Sequence, residues 1–212
     1  MATSADAATS VELADPALER LITPANIVTL VRTVGAVVLA GLAVEEGSRN
    51  LLIASLIVYW VGDILDGTVA RLTKRETRIG AVFDILSDRL CAAAFYLGLA
   101  WMQPELTLPV LIYLAEFMVV DAFLSLAFLA WPVRSPNYFY VVDRPLWLWN
   151  WSKPGKTANS AIFAVVLLVT GSAWLGVVIA SALLLMKCAS LVRLGRIGLP
   201  IPTVAIGQSP GG

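Results

Sequence analysis

Histidine is absent from all 212 residues of the sequence. This absence excludes the side chain that most often acts as a general base near neutral pH. It also excludes Ser–His and Cys–His nucleophilic catalysis and removes the usual ligand of catalytic zinc. Any chemistry in this chain must therefore depend on carboxylates, Lys, Arg, hydroxyl groups or thiols.

Cysteine is scarce as well. Cys91 and Cys188 both lie in apolar runs, and the sequence has no C-x-x-C motif. Such isolated cysteines are typical of small buried hydrophobic residues, and no disulfide framework can be read from them. The redox compartment of the protein stays undetermined from the sequence.

Charged residues make up only 14% of the chain, and hydrophobic residues make up 58%. Soluble domains contain about 25% charged and about 45–50% apolar residues, so both deviations indicate a membrane protein. Fifteen basic and fifteen acidic residues give a net charge of zero, and nothing indicates a nucleic-acid partner. The first twenty residues are polar and acidic and lack the apolar run of a signal peptide.

Six apolar stretches approach the roughly 20 residues that a spanning helix needs. They predict an all-α membrane protein with six transmembrane helices, at Ile27–Val44, Leu51–Val69, Gly80–Trp101, Leu106–Trp131, Ala158–Leu175 and Gly176–Leu194. We divide the chain into an N-terminal segment (1–25), a transmembrane catalytic domain (26–199) and a disordered tail (200–212). Within the first segment, Val11–Ile22 predicts a short interfacial helix that Pro16 interrupts.

The basic residues indicate the orientation of these spans. Eleven of them fall on the side of the termini, and only Arg49 falls on the other side. The eleven are Arg20, Arg71, Lys74, Arg75, Arg78, Arg134, Arg144, Lys153, Lys156, Arg193 and Arg196. By the positive-inside rule both termini are cytoplasmic, and we expect a multi-pass protein of the plasma membrane.

The second and third spans carry four aspartates, although each charge in a span costs roughly 2.5–3.5 kcal/mol on insertion scales. Asp63 and Asp66 are three residues apart, and Asp84 and Asp88 are four apart, so each pair lies on one helix face. Because the two spans are antiparallel, both pairs can meet at the cytoplasmic end of the bundle. The sequence therefore predicts an acidic site at the cytoplasmic ends of helices 2 and 3.

Four adjacent carboxylates need cations to stay ionised. Oxygen ligands alone favour Mg²⁺ or Mn²⁺ over zinc, and four negative charges match two divalent ions. Such pairs of ions stabilise both the attacking and the leaving oxygen in phosphoryl transfer. Gly67 and Gly80 would let a ligand approach the backbone, and Arg71 can bind a phosphate through two hydrogen bonds.

The stretch Asp63-Ile-Leu-Asp66-Gly67-Thr-Val-Ala70-Arg71, then eight residues, then Gly80-Ala-Val-Phe-Asp84-Ile-Leu-Ser-Asp88, resembles the signature of the CDP-alcohol phosphatidyltransferases. Every fixed position of D-x2-D-G-x2-A-R-x8-G-x3-D-x3-D is filled. The resemblance implies the transfer of a phosphatidyl group from CDP-diacylglycerol to a polar alcohol in the lipid bilayer, with release of CMP. It also suggests a homodimer.

The resemblance further implies a role for each position. Asp63, Asp66 and Asp84 would bind metal, and Asp88 would bind the second ion and act as the general base. The residues that would line the CDP pocket are Gly67, Ala70, Arg71 and Gly80, together with Asn26 and Thr29 of the first span. Asn26, Thr29 and Arg32 form a polar stripe on the first span that is similar to the N-x2-T-x2-R opening of several members. Snorkelling to the membrane interface is an alternative explanation for Arg32.

Acceptor selectivity is expected from the later cytoplasmic segments, where Arg134, Lys153 and Lys156 are candidates for binding the acceptor. This surplus of cations favours an acceptor that carries its own phosphate, with glycerol 3-phosphate ahead of an inositol phosphate. Free inositol and phosphatidylglycerol are alternatives. Positive-inside anchoring explains part of this surplus. Outside enzymes, a divalent-cation transporter would also use aspartates in its spans, although it would not require the glycines and Arg71.

Overall fold

The structure is a computed structural model that describes residues 13–14 and 19–200 of the chain. Within these residues the protein is helical, without β-strands apart from one isolated bridge between Leu13 and Val133. We number the helices as follows: α1 Pro24–Glu46, α2 Arg49–Leu72, α3 Arg78–Met102, α4 Pro104–Ala130, α5 Arg144–Asn150, α6 153–170 and α7 Ala173–Ile197. A 3₁₀ segment, Pro136–Val141, lies between α4 and α5.

Four of these helices, α1, α2, α4 and α7, are long and apolar enough to cross a membrane. They correspond to four of the six predicted spans. The other two predicted spans, Gly80–Trp101 and Ala158–Leu175, correspond to α3 and α6. The protein is therefore a helical membrane protein, and the count of six spans stays a prediction.

Side-chain caps determine where most of the helices begin. Thr23, Ser48, Thr77, Asp143 and Ser172 each precede a helix and accept a hydrogen bond from the backbone N–H three residues further on. Such a cap satisfies an amide that has no partner within the helix. Caps of this kind explain why the loops between long apolar helices are so short.

The predicted boundary between the last two spans, Leu175 to Gly176, is wrong by about one turn. Gly171 ends α6 in the left-handed conformation with φ 59°, and the side chain of Ser172 caps α7. Glycine adopts this conformation without the steric cost that a Cβ would bring. Gly176 instead lies within α7 against Pro109, where an added Cβ would lie 2.7 Å from the proline Cβ.

Two predictions concern segments that the structure describes only in part or not at all. Most of the interfacial helix Val11–Ile22 lies outside the described residues, and its described positions, 13–14 and 19–22, are not helical. Leu13 instead bridges to Val133, and Ala14 N–H donates to Pro132 O at 2.8 Å. The predicted disordered tail lies outside the described residues from position 201 onward.

The interior contains two apolar clusters. One, which includes Tyr59, Phe95, Tyr113 and Phe163, lies between α2, α3, α4 and α6. The other includes Phe128, Phe139, Leu146 and Trp151, and it packs the 3₁₀ segment and α5 against α4. Many large apolar side chains on the long helices remain exposed, as expected for surfaces that face lipid rather than water.

Asp143 joins α5 to the end of α7. Its carboxylate caps α5 by accepting from Leu146 N at 2.7 Å, and it accepts two hydrogen bonds from the Arg193 guanidinium, at 2.9 and 2.8 Å. The Arg193 hydrogen bonds hold the pKa of Asp143 below its ordinary value. The ionised carboxylate therefore stabilises the fold above an ordinary Asp pKa of about 4, and this contribution is lost as the pH falls through the lower pKa of the folded state.

We predict that Asp143→Ala lowers the free energy of unfolding by about 1–2 kcal/mol, mainly through the lost helix cap. Thermal unfolding in detergent should show a lower Tm at pH 7 and a smaller difference from wild type near pH 3. Arg144→Ala, which changes an exposed neighbouring side chain, is the matched control. An equal Tm difference at both pH values would contradict the role of the ionised carboxylate.

Candidate active site

One cavity of about 210 Å³ opens between α1, α2 and α3 on one side and α4, α6 and α7 on the other. Its wall includes most residues that the sequence analysis selected: Asn26, Thr29, Asp63, Asp66, Gly67, Ala70, Arg71, Gly80, Asp84, Asp88 and Lys156. Residues that lie up to 130 positions apart in the chain therefore share one site. The meeting of α2 and α3 at this cavity agrees with the prediction that the two aspartate pairs converge.

Three aspartates of the motif form a tight group. One carboxylate oxygen from each of Asp63, Asp66 and Asp84 lies within 4.8 Å of the others. Asp88 lies one turn further along α3 and shares a hydrogen-bond donor with Asp84, namely Nη2 of Arg32. Asp66 is buried, whereas Asp63 and Asp84 are partly exposed to the cavity.

Arg32 lies at the centre of the acidic group. Its Nε donates to Asp66 Oδ2 at 2.7 Å, and its Nη2 donates to Asp84 at 2.6 Å and to Asp88 at 2.9 Å. Asp63 completes the set at 3.7 Å from Nη2. Arg32 is only 3% exposed, so the alternative that it snorkels to the interface is wrong. The four carboxylates attract its guanidinium into the bundle instead.

Gly62 makes room for Arg32. A Cβ built on Gly62 would lie 2.4 Å from Cβ and 2.5 Å from Cδ of Arg32, both well inside the contact limit. Only a residue without a side chain allows α1 and α2 to approach this closely at that level. The sequence analysis did not select Gly62, and its position one residue before Asp63 was the available signal.

The two glycines that the analysis did select have close neighbours too. A Cβ on Gly67 would lie 3.2 Å from Nη1 of Arg71, and one on Gly80 would lie 2.8 Å from Thr77 Oγ1 and 3.0 Å from Asn26 Oδ1. The backbone at both positions is therefore within reach of polar side chains of the cavity. Thr29 on α1 donates its hydroxyl hydrogen to Asp66 Oδ2 at 2.8 Å and adds to the support of that carboxylate.

The donor set fits a divalent cation. Four carboxylates and one guanidinium leave a local charge of about minus three, which further cations would offset. All the available ligand atoms are oxygens, the ligands that Mg²⁺ and Mn²⁺ prefer. Asp63, Asp66 and Asp84 would hold such an ion.

The three residues proposed for acceptor binding separate in the structure. Lys156 lines the cavity, but Arg134 and Lys153 do not. Arg134 donates from Nε to the carbonyl oxygen of Leu13 at 2.7 Å, and Lys153 is an exposed residue in the first turn of α6. The sequence could not distinguish Lys153 from Lys156, because the direction of each side chain depends on how α6 packs.

A buried ionic network lies beside the aspartates and was not anticipated. Asp121 of α4 pairs with Arg89 of α3, and its second oxygen accepts from Lys187 Nζ of α7 at 2.5 Å. Lys187 also donates to Asn150 Oδ1 at 2.9 Å. All four residues line the cavity. The sequence did contain an indication of this network. A lone lysine within an apolar run costs free energy when it is buried, and it therefore needs a buried partner for its charge.

The geometry is that of a phosphoryl-transfer site. Carboxylates for divalent cations lie at one end of the cavity, and the cationic side chains of Arg71, Arg75 and Lys156 line its wall. Phosphate groups bind to such combinations of metal ions and cations, where charge neutralisation and positioning supply most of the rate.

Comparison with known proteins supports this interpretation. A sequence model of the CDP-alcohol phosphatidyltransferase family matches residues 22–192 of the chain. A phosphatidylinositol phosphate synthase of Mycolicibacterium smegmatis is 35% identical over 117 residues. That alignment covers 51% of this chain and 51% of the synthase, so the chain matches about half the length of this relative. No solved structure matches the chain significantly.

The family match spans most of the chain and includes the whole aspartate motif together with the helices that surround the cavity. It also decides between the two classes of function that the sequence left open, because it favours an enzyme over a cation transporter. The chain therefore belongs to the CDP-alcohol phosphatidyltransferase family, the membrane enzymes that use CDP-linked alcohols in phospholipid biosynthesis.

Proposed function

We propose that this enzyme transfers the phosphatidyl group of CDP-diacylglycerol to an alcohol that carries its own phosphate. The observation that carries the proposal is the charge of the cavity wall. Arg71, Arg75 and Lys156 line the cavity, and within the described part of the chain none of them forms an ion pair. Cations without a counterion in a substrate cavity favour an anionic ligand.

The pyrophosphate of CDP-diacylglycerol accounts for only some of these cations. Arg71 lies one turn beyond Gly67 and is the motif residue that the family resemblance assigns to the pyrophosphate. Lys156 reaches the same cavity from α6, on the opposite side of the bundle. A second phosphate, on the acceptor, would give Lys156 and Arg75 a ligand of their own.

The residues of the chain suggest how the transfer proceeds. Asp88 accepts the proton of the acceptor hydroxyl, and the resulting oxygen attacks the phosphorus that bears the diacylglycerol. A new phosphorus–oxygen bond forms, and the bond to CMP breaks. Arg32 orients the carboxylate of Asp88 through the hydrogen bond from Nη2, and Thr29 supports that of Asp66. When bound, divalent ions offset the charge of the pyrophosphate and of the leaving CMP.

Two phosphorylated acceptors are consistent with this cavity. The cationic segments of the sequence favoured glycerol 3-phosphate, whereas the relative in Mycolicibacterium smegmatis is named a phosphatidylinositol phosphate synthase. That name favours an inositol phosphate as the acceptor. Both acceptors require the same phosphate contacts, so the tests of Lys156 apply to either one.

We also propose that the chain spans the plasma membrane six times with both termini and the active site cytoplasmic. The hydrocarbon tails of the lipid substrate must stay in the bilayer, while the nucleotide and the acceptor must reach the site from water. The side of the membrane on which Arg71 and Arg75 lie follows from the positive-inside rule. Nothing in the described residues bears on a homodimer, which stays a prediction.

Of the predictions that test this proposed function, the first concerns the aspartates as metal ligands. Asp63→Ala, Asp66→Ala and Asp84→Ala should each reduce CMP release from CDP-diacylglycerol at least about a hundredfold, since each removes an oxygen ligand from a shared ion. Titration with Mn²⁺ should show a lower affinity for the ion in each variant. A variant that keeps more than about a tenth of the wild-type rate would remove that residue from the ligand set.

Asp88→Asn serves as the contrasting variant in the same assay. An amide oxygen can still coordinate an ion, but the amide cannot accept a proton from the acceptor. We expect CDP-diacylglycerol binding to be retained and turnover to be lost. A normal rate at neutral pH would contradict the assignment of Asp88 as the base.

The second prediction concerns the acceptor phosphate. Lys156→Gln should raise the KM for a phosphorylated acceptor about tenfold or more and leave the KM for CDP-diacylglycerol nearly unchanged. Lys153→Gln is the matched control. It removes the same charge from a side chain that lies three residues away and does not line the cavity. Equal effects of the two substitutions, or free inositol as the preferred acceptor, would contradict a phosphate contact by Lys156.

The third prediction concerns orientation. In a Cys188→Ser background, a cysteine at Glu46 in the α1–α2 turn should react with a membrane-impermeant maleimide added outside intact cells. A cysteine at Thr73 in the α2–α3 connection should react only after the membrane is opened. Labelling of Thr73→Cys from outside would place the aspartates on the wrong face and contradict the proposed topology.

A further inference from the structure

Residues 19–22, which we call the N-terminal strap, contact the first turn of α3. The carboxylate of Glu19 accepts two hydrogen bonds from the backbone of that helix, from Arg78 N to Oε1 at 2.8 Å and from Ile79 N to Oε2 at 3.0 Å. The donors lie 59 and 60 positions further along the chain than Glu19. The proposed transfer does not use this contact, although α3 is the helix that carries Asp84 and Asp88.

Glu19 completes the cap of α3. The first amides of a helix have no partner within the helix. Thr77 Oγ1 accepts from Gly80 N at 2.9 Å and satisfies one of them. The amides of Arg78 and Ile79 remain, and each donates to one oxygen of Glu19. A carboxylate is also favoured here electrostatically, because the helix dipole is positive at the N-terminal end.

The same strap holds the start of α1. The carbonyl oxygen of Leu21 accepts from Asn26 Nδ2 at 2.6 Å. Asn26 is 9% exposed and lines the cavity, as does Gly80 in the first turn of α3. A Cβ built on Gly80 would lie 3.0 Å from Asn26 Oδ1, so these two residues meet in one part of the cavity wall. Glu19 and Leu21 therefore hold the two sides of that meeting point.

The side chain of Arg78 contacts α4 from the same turn of α3. Its Nη2 donates to the carbonyl oxygen of Leu129 at 2.6 Å, and its guanidinium lies over the Phe128 ring, 5.9 Å from the centroid. A long arginine side chain has several rotatable bonds, so these contacts tolerate small shifts of the helix backbone. The hydrogen bonds of Glu19 act on the backbone itself and therefore fix the turn more closely.

We infer that Glu19 is a positioning residue for the donor substrate, because it fixes the turn of α3 that brings Gly80 against Asn26. The inference rests on the proposed function, in which CDP-diacylglycerol is the donor, and on the family resemblance, which assigns both residues to the CDP pocket. Glu19 does not itself line the cavity, so it acts through these two residues. Asp88 lies ten residues beyond Arg78, which is roughly 15 Å along α3 and far from the cap.

The test measures use of the donor by the purified protein with Glu19→Ala or Glu19→Gln. We expect the KM for CDP-diacylglycerol to rise about fivefold in Glu19→Ala, the size of effect that loss of a helix cap produces. Glu19→Gln should raise it less, because the amide keeps one accepting oxygen, whereas its NH₂ group cannot accept from the second amide. The kcat and the KM for the phosphorylated acceptor should stay near their wild-type values.

Added acetate distinguishes a positioning role from a general loss of stability. In Glu19→Ala the amides of Arg78 and Ile79 lose their partner, and a small carboxylate can bind at such a helix N-terminus. At constant ionic strength, acetate at about 0.1 M should lower the KM of Glu19→Ala towards the wild-type value and leave wild type unchanged. Arg20→Gln, which alters the exposed neighbouring side chain and keeps the cap, is the matched control and should leave both KM values unchanged.

Three results would overturn the inference: an unchanged KM for CDP-diacylglycerol in Glu19→Ala, equal increases in the KM of both substrates, or a lower kcat and Tm that acetate does not restore. Failure of the proposed function looks different, because the wild-type protein would then release no CMP from CDP-diacylglycerol. Calorimetry with CDP and Mg²⁺ tests Glu19 without turnover. Glu19→Ala should raise the Kd for CDP about fivefold, and an unchanged Kd would contradict the positioning role.

Discussion

The attraction between Arg32 and four carboxylates is the interaction on which the site depends. Two nitrogens of a single guanidinium contact Asp63, Asp66, Asp84 and Asp88, which come from two different helices. Like charges at this distance repel one another, and a membrane environment screens them poorly. Arg32 offsets part of that repulsion and at the same time joins α1 to α2 and α3. The close approach at Gly62 follows from it, since the arginine stem occupies the space that a side chain there would fill.

The rest of the cavity wall combines charges of both signs. It carries the carboxylates of the aspartate motif together with the exposed cations Arg71, Arg75 and Lys156. The network of Arg89, Asp121 and Lys187 also lines the cavity and keeps its charges paired. Because every charge of that network has a partner, it can lie deep between helices without competing for substrate phosphates.

Helix α6 shows which features of the site depend on packing. The lysines at 153 and 156 could not be told apart, because both lie at the start of a span in a cationic segment. The packing of α6 against α5 brings Lys156 to the cavity wall, whereas Lys153 does not line the cavity. Lys187 was missed because its partner is distant in the sequence. Its single charge in an apolar run has no local partner, and Asp121 lies 66 residues away in the chain.

The sequence by itself determined the class of the protein, the cluster of aspartates and the family. These follow from local patterns: apolar runs long enough for a membrane, and aspartates spaced so that helical geometry alone puts each pair on one face. Tertiary structure decided which cations line the cavity and that Arg32 turns inward. Those outcomes depend on contacts between helices distant in sequence, and no local spacing encodes the direction in which a side chain faces its neighbours.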